Sequence, residues 1–160
     1  MSEGLCQLEV IYCDDIRAEA NGKRMYIGVY TSAMILPFFP AMLPKLCIFL
    51  RYLGTADPPP RLISFSVFRN DELLQEAALP EEAVKRANKA LEGTAANAVR
   101  ADMTFEFTPF EVREPCTLRV KANVDGKELK SATLRIVKGE VAGVAKPEAS
   151  DSTKPSRKTR

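Results

Sequence analysis

Between Cys116 and Val137 the chain reads CTLRVKANVDGKELKSATLRIV, and this stretch limits the possible folds more than any other. Cys116, Leu118, Val120 and Ala122 alternate with Thr117, Arg119, Lys121 and Asn123. After Asp125-Gly126 the alternation resumes at Ala132, Leu134 and Ile136. Period-two alternation on both sides of an Asp-Gly turn predicts an antiparallel β-hairpin with one buried face. The same pattern speaks to register. A two-residue loop would set Leu118 opposite Thr133 and Val120 opposite Ser131, mixing apolar and polar residues. A three-residue loop instead gives Cys116, Leu118 and Val120 a common face with Ala132, Leu134 and Ile136. The expectation is therefore a three-residue loop with Gly126 at φ > 0, where glycine has no Cβ to clash.

Similar alternation recurs along the chain. Leu5–Cys13 places Cys6, Leu8, Val10 and Tyr12 on one face; Arg24–Tyr30 is rich in aromatic and β-branched residues and follows a turn at Asn21-Gly22. These two segments read as a hairpin with a long charged connection, Asp14 to Asn21. Lys45–Tyr52 points Leu46, Ile48, Leu50 and Tyr52 one way and Cys47 and Phe49 the other. Arg61–Arg69 alternates Ile63, Phe65 and Val67 with polar residues, then turns at Asn70-Asp71 into Glu72–Ala78. Met103, Phe105 and Phe107 mark a further strand. One short helix is predicted after Pro80. Glu81 and Glu82 suit the positive end of its dipole, Val84, Ala87 and Leu91 give it a thin apolar stripe, and Gly93 ends it. The fold class expected is mainly β: an antiparallel β-sandwich of about seven strands with one surface helix, occupying residues 1–138 as a single domain. An incomplete barrel is the alternative. Residues 139–160, dominated by Ala, Pro, Ser, Lys and Thr without periodicity, read as a disordered tail.

Composition narrows the chemistry. The chain has 160 residues and no histidine, which removes Ser–His and Cys–His nucleophile systems and histidine metal sites. None of the four cysteines forms a C-x-x-C pair, so neither a zinc ribbon nor a thioredoxin-like motif is present. The eight glycines are scattered and build no phosphate-binding loop. Residues 138–160 carry a net +3 against +2 for the whole chain, leaving a near-neutral body. That distribution points to a solvated tail rather than a nucleic-acid-binding face. The longest apolar run, Ala33–Leu43, is about half the length that spans a bilayer and contains two prolines. With no secretory leader in MSEGLCQLEV, the expectation is a cytoplasmic, reduced protein that binds no cofactor and no membrane.

The segments CDDIRAEANGKRMYIGVY (Cys13–Tyr30), ILPFFPAMLPKLCIFLR (Ile35–Arg51) and FTPFEVREPCTLRVKANVDGKELKSATLRI (Phe107–Ile136) resemble a family of small bacterial and prophage-borne proteins, a domain of unknown function. The resemblance implies a compact β-rich domain in bacteria or their phages and transfers no catalytic residue.

Two groups of residues stand out as candidate sites. The first is the proline-punctuated run Met34–Leu43, whose large apolar side chains are typical of interface cores. Prolines hold such side chains ready at low entropic cost. It reads either as a cap over one end of the sandwich or as a docking patch formed by Phe38, Phe39 and Met42, extended by Cys47 and Phe49 on the outward phase of their strand. The second is Asp14 and Asp15 with Glu19, which supply oxygen ligands for a cation, or else orient the connection through turn hydrogen bonds and Arg17. The function expected is a non-enzymatic protein–protein binding or assembly module of bacterial or phage origin. Its contact is assigned to Phe38, Phe39, Met42 and Phe49, with a protein partner or a second copy of the chain. The alternative is a small-ligand or cation-binding domain built on Asp14, Asp15 and Glu19.

Overall fold

The computed structural model describes residues 6–55, 58–89 and 98–140. Their elements are β1 (Gln7–Cys13), β2 (Asp15–Ala18), β3 (Arg24–Ile27), β4 (Ala33–Leu36), β5 (Ala41–Leu43), β6 (Leu46–Thr55), β7 (Ile63–Arg69), β8 (Glu72–Ala78), α1 (Glu81–Lys89), β9 (Ala98–Phe107), β10 (Phe110–Val112), β11 (Cys116–Val124), β12 (Lys127–Lys130) and β13 (Leu134–Lys138). The protein is mainly β with one helix, as its alternation predicts. The simple seven-strand plan is not what the chain builds. Among the described residues thirteen strands form four sheets: β1-β6-β9, β4-β13-β11-β7-β8 with β12 also on β11, and the two-stranded ribbons β2-β3 and β5-β10. The additional strands are mostly three or four residues long, too short to carry a readable period.

Alternate positions of the long strands supply one buried cluster. Leu46, Ile48, Leu50 and Tyr52 of β6 enter it with Ile63, Phe65 and Val67 of β7, Leu118, Val120 and Ala122 of β11, and Leu134 and Ile136 of β13. The three-stranded and six-stranded sheets thus each contribute one face to the same core. Each large aliphatic or aromatic side chain fully removed from water there contributes about 1.5–3 kcal/mol. Tyr12 is buried among them, and its hydroxyl donates to the carbonyls of Ala132 (3.1 Å) and Leu118 (3.4 Å). Burial pushes its phenol well above the ordinary tyrosine range. Helix α1 begins with Glu81 and Glu82, buries Val84, rests Ala87 on the core and lies against β9. Leu91 and Gly93, assigned to its last turn, lie outside the described residues, as does the tail from 141 onward. No helix among the described residues is long and apolar enough to cross a membrane.

Two pairings differ from the sequence reading. Leu5–Cys13 and Arg24–Tyr30 do not make a hairpin. β1 pairs antiparallel with β6, while β3 folds back on β2; a single bridge, Tyr12 to Tyr30, joins the two. The hairpin at Asp125-Gly126 has a two-residue loop, with Val124 opposite Lys127 and φ of 50° and 88° at the two loop residues. Both positions at positive φ match the twist of the flanking strands, which Asp and Gly tolerate. The apolar match is recovered later. Beyond β12 the pairing slips by one residue across Ser131–Thr133, so that Leu134 faces Leu118 and Ile136 faces Cys116. The even-with-even face is therefore present in β13, made by an irregularity after the turn instead of by a longer turn.

Candidate functional site

Residues 31–44 contain no ionisable side chain, in a chain where 28% of residues are charged. Three prolines cut this segment into two short strands. β4 runs parallel to β13, with Met34 beside Ile136 and Leu36 beside Lys138; β5 pairs antiparallel with β10. The segment divides its apolar side chains between two environments. Met34 is buried, and Leu36, Phe39 and Leu43 pack partly against the core. Phe38 remains 64% exposed, Met42 59% and Ile35 49%. The segment thus caps the core and presents an apolar outer surface at once.

Phe49 belongs elsewhere. It lies on the outward phase of β6, as its position predicts, but the β2-β3 ribbon covers that face and leaves Phe49 only 2% exposed. The ring of Tyr26 sits 5.4 Å from its centroid, and the guanidinium carbons of Arg24 and Arg51 lie 4.9 and 5.2 Å from it. Cys47, on the same phase, is also buried and lies directly opposite Cys13. Burial pushes the Cys13 thiol up to about 11, the neighbouring Cys47 adding to the effect. Neither residue extends an exposed patch. Of the four proposed contact residues, Phe38 and Met42 are open, Phe39 is half-buried and Phe49 is enclosed.

The acidic group is divided among separate partners. Asp14 accepts a hydrogen bond from the Tyr30 hydroxyl, and its amide donates to the carbonyl of Ile27. A Cβ at Gly28, which sits at φ +66°, would collide with the Asp14 carboxylate, so glycine is what lets the ribbon approach. Asp15 accepts from Lys45 (2.8 Å) and Arg17 (3.2 Å), which hold its carboxyl below the usual range. Lys45 also bridges to Glu106 of β9 at 3.1 Å. The Glu19 backbone closes the turn through its amide to the carbonyl of Lys23. Among the described residues no three His, Cys, Asp or Glu side chains are grouped to hold a metal ion. Asp15 ties the β2-β3 ribbon to Lys45, immediately before β6.

Sequence reasoning passed over the strongest ionic cluster. Asp102 of β9, with its side chain 14% exposed, accepts hydrogen bonds from Arg24 (2.9 Å), Arg51 (3.0 Å) and Arg100 (2.8 Å). Burial raises the Asp102 pKa, but the hydrogen bonds from Arg100, Arg51 and Arg24 more than reverse it and hold the carboxyl well below the usual range. A local signal existed in Arg100-Ala101-Asp102, whose i,i+2 spacing places both charges on one strand face. The third arginine comes from the ribbon.

Compared with known proteins, residues 9–137 match a family model described as a family of unknown function (DUF6941). No curated protein and no solved structure matches the chain.

Proposed function

The chain belongs to DUF6941, a family of unknown function, and we propose that it is a non-enzymatic protein-binding or assembly module of bacterial or phage origin. It docks through the uncharged segment 31–44. The observation that carries this reading is the exposure of Phe38 and Met42 on a short, proline-fixed segment devoid of charge. Proline restrains the backbone in advance, so less entropy is lost when these side chains are covered. Large apolar side chains at the centre of a contact typically dominate its energy. Phe39 packs partly against the core and anchors the segment there, and Phe49 drops out of the contact because the ribbon already covers it.

A photo-crosslinking amino acid placed at Phe38 or Met42 tests the reading in cells. Adducts are expected from both positions and none from Glu82, an exposed control on α1. Equal adducts at all three, or at none, refute a docking role.

The cation-binding alternative rests on Asp14, Asp15 and Glu19, and the engagement of Asp14 by Tyr30 and of Asp15 by Lys45 and Arg17 speaks against it. Millimolar calcium is expected to leave the melting temperature unchanged by scanning calorimetry. A rise that Asp14→Asn removes would restore that alternative.

A further inference from the structure

We propose that the partner of segment 31–44 is a second copy of this chain, joined antiparallel along the free edge of β4 and centred on Ile35. The inference rests on the docking role proposed above and specifies its occupant. Among the described residues β4 ends the six-stranded sheet, with no strand hydrogen-bonded on its far side. Edge strands ordinarily carry charge, which deters pairing with another chain. β8, at the opposite end of that sheet, has Glu72 and Glu76; β1 has Glu9, and β9 has Asp102. Among the described residues, β4 and β5 are the edge strands without any ionisable side chain.

The backbone of β4 is set for such an addition. The amide of Gly139 donates to the Leu36 carbonyl at 3.0 Å, so Leu36, and by alternation Met34, turn their polar groups toward β13. Ala33 and Ile35 therefore present N–H and C=O on the open side. Pro37 occupies the next outward position, at a sheet edge where a missing N–H is tolerated.

Symmetry selects the register. A two-fold contact must be self-complementary, and an uncharged edge meets its own image without like-charge repulsion. Keeping the core faces of both copies on one side requires even residues to oppose even and odd to oppose odd. Centring on Ile35 sets Ile35 against its own image on the outer face and Met34 against the image of Leu36 on the core face. Centring on Met34 would set Ile35 against Ala33, a poorer match. In the favoured register the Ile35 N–H and C=O groups exchange a pair of hydrogen bonds across the axis. Phe38, just beyond the strand, flanks the seam.

Sedimentation and light scattering between about 1 µM and about 1 mM, the affinity range of small interfaces, should show a reversible dimer. Ile35→Lys and Ile35→Glu alone are expected to be monomeric, because each places like charges opposite one another, and an equimolar mixture should recover the dimer mass. Should Ile35→Lys lower the melting temperature, Ile35→Pro, which removes the outward N–H without taking a hydrogen bond from the β4–β13 ladder, takes its place. A wild-type protein monomeric throughout overturns the inference. So does a dimer that persists in Ile35→Lys. A dimer lost with Phe38→Asp but kept with Ile35→Lys also overturns it, while leaving the apolar segment as the docking surface.

Discussion

Phe49→Ala is expected to destabilise the protein by about 3–5 kcal/mol, the cost of emptying a large buried aromatic site. For a chain of this size that loss lowers the melting temperature by about 10 °C or more. The ring is enclosed between β6 and the β2-β3 ribbon, with Tyr26 tilted at 57° against it and two guanidiniums over its face. Truncation removes the apolar contact and leaves Arg24 and Arg51 above a void. Phe38→Ala, at a site 64% exposed, should fall within about 0.5 kcal/mol of wild type. Urea unfolding of the two variants separates a structural phenylalanine from a surface one. A cost below about 1 kcal/mol for Phe49→Ala would mean that the ribbon does not seal this face.

That contrast marks where the sequence was legible. Strand phase was: the inward set Leu46, Ile48, Leu50 and Tyr52 is buried as the alternation requires, and Phe49 does point the other way. What phase does not reveal is whether a second layer covers the outward side. The covering ribbon starts at Asp15-Ile16-Arg17-Ala18, a strand with one large apolar residue and no alternation to distinguish it from a charged connection. Its pairing with Arg24–Ile27 depends on a tight turn where Asn21 and Gly22 both take positive φ, which the Asn-Gly pair did signal. Register in the Asp125-Gly126 hairpin was half-legible for a related reason. The pairing of Leu118 with Leu134 follows from the burial pattern. Where the extra residue resides, in the loop or at Ser131–Thr133, is decided by turn geometry. Asp102 was the least visible, since one of its three arginines lies 78 residues away and meets it only after the ribbon has docked.

Asp102→Asn should release that ribbon. The substitution keeps the shape of the side chain but removes the negative charge on which Arg24, Arg51 and Arg100 converge, leaving three cations crowded together, two of them over Phe49. Losing a part-buried partner to several charged donors costs about 2–3 kcal/mol, discounted because Arg24 and Arg100 remain partly in solvent and are screened. Amides of β2 and β3 should then exchange hydrogen faster, while those of β7 and β11 remain protected. The pH dependence has a definite sign. The carboxyl of Asp102 titrates lower in the folded protein than its ordinary value of about 3.9, so its stabilisation is complete above that value and is lost as pH falls toward the folded pKa. The difference in unfolding free energy between wild type and Asp102→Asn should be constant above about pH 5 and shrink below about pH 4. A difference that grows on acidification, or that is absent at neutral pH, would show that the arginine cluster does not hold the ribbon down. Arg24→Ala distinguishes the anchor from the local pair: it cuts the tie to the ribbon while leaving Arg51 and Arg100 on Asp102. Exchange should therefore rise in β2 and β3 for a smaller global loss than Asp102→Asn produces.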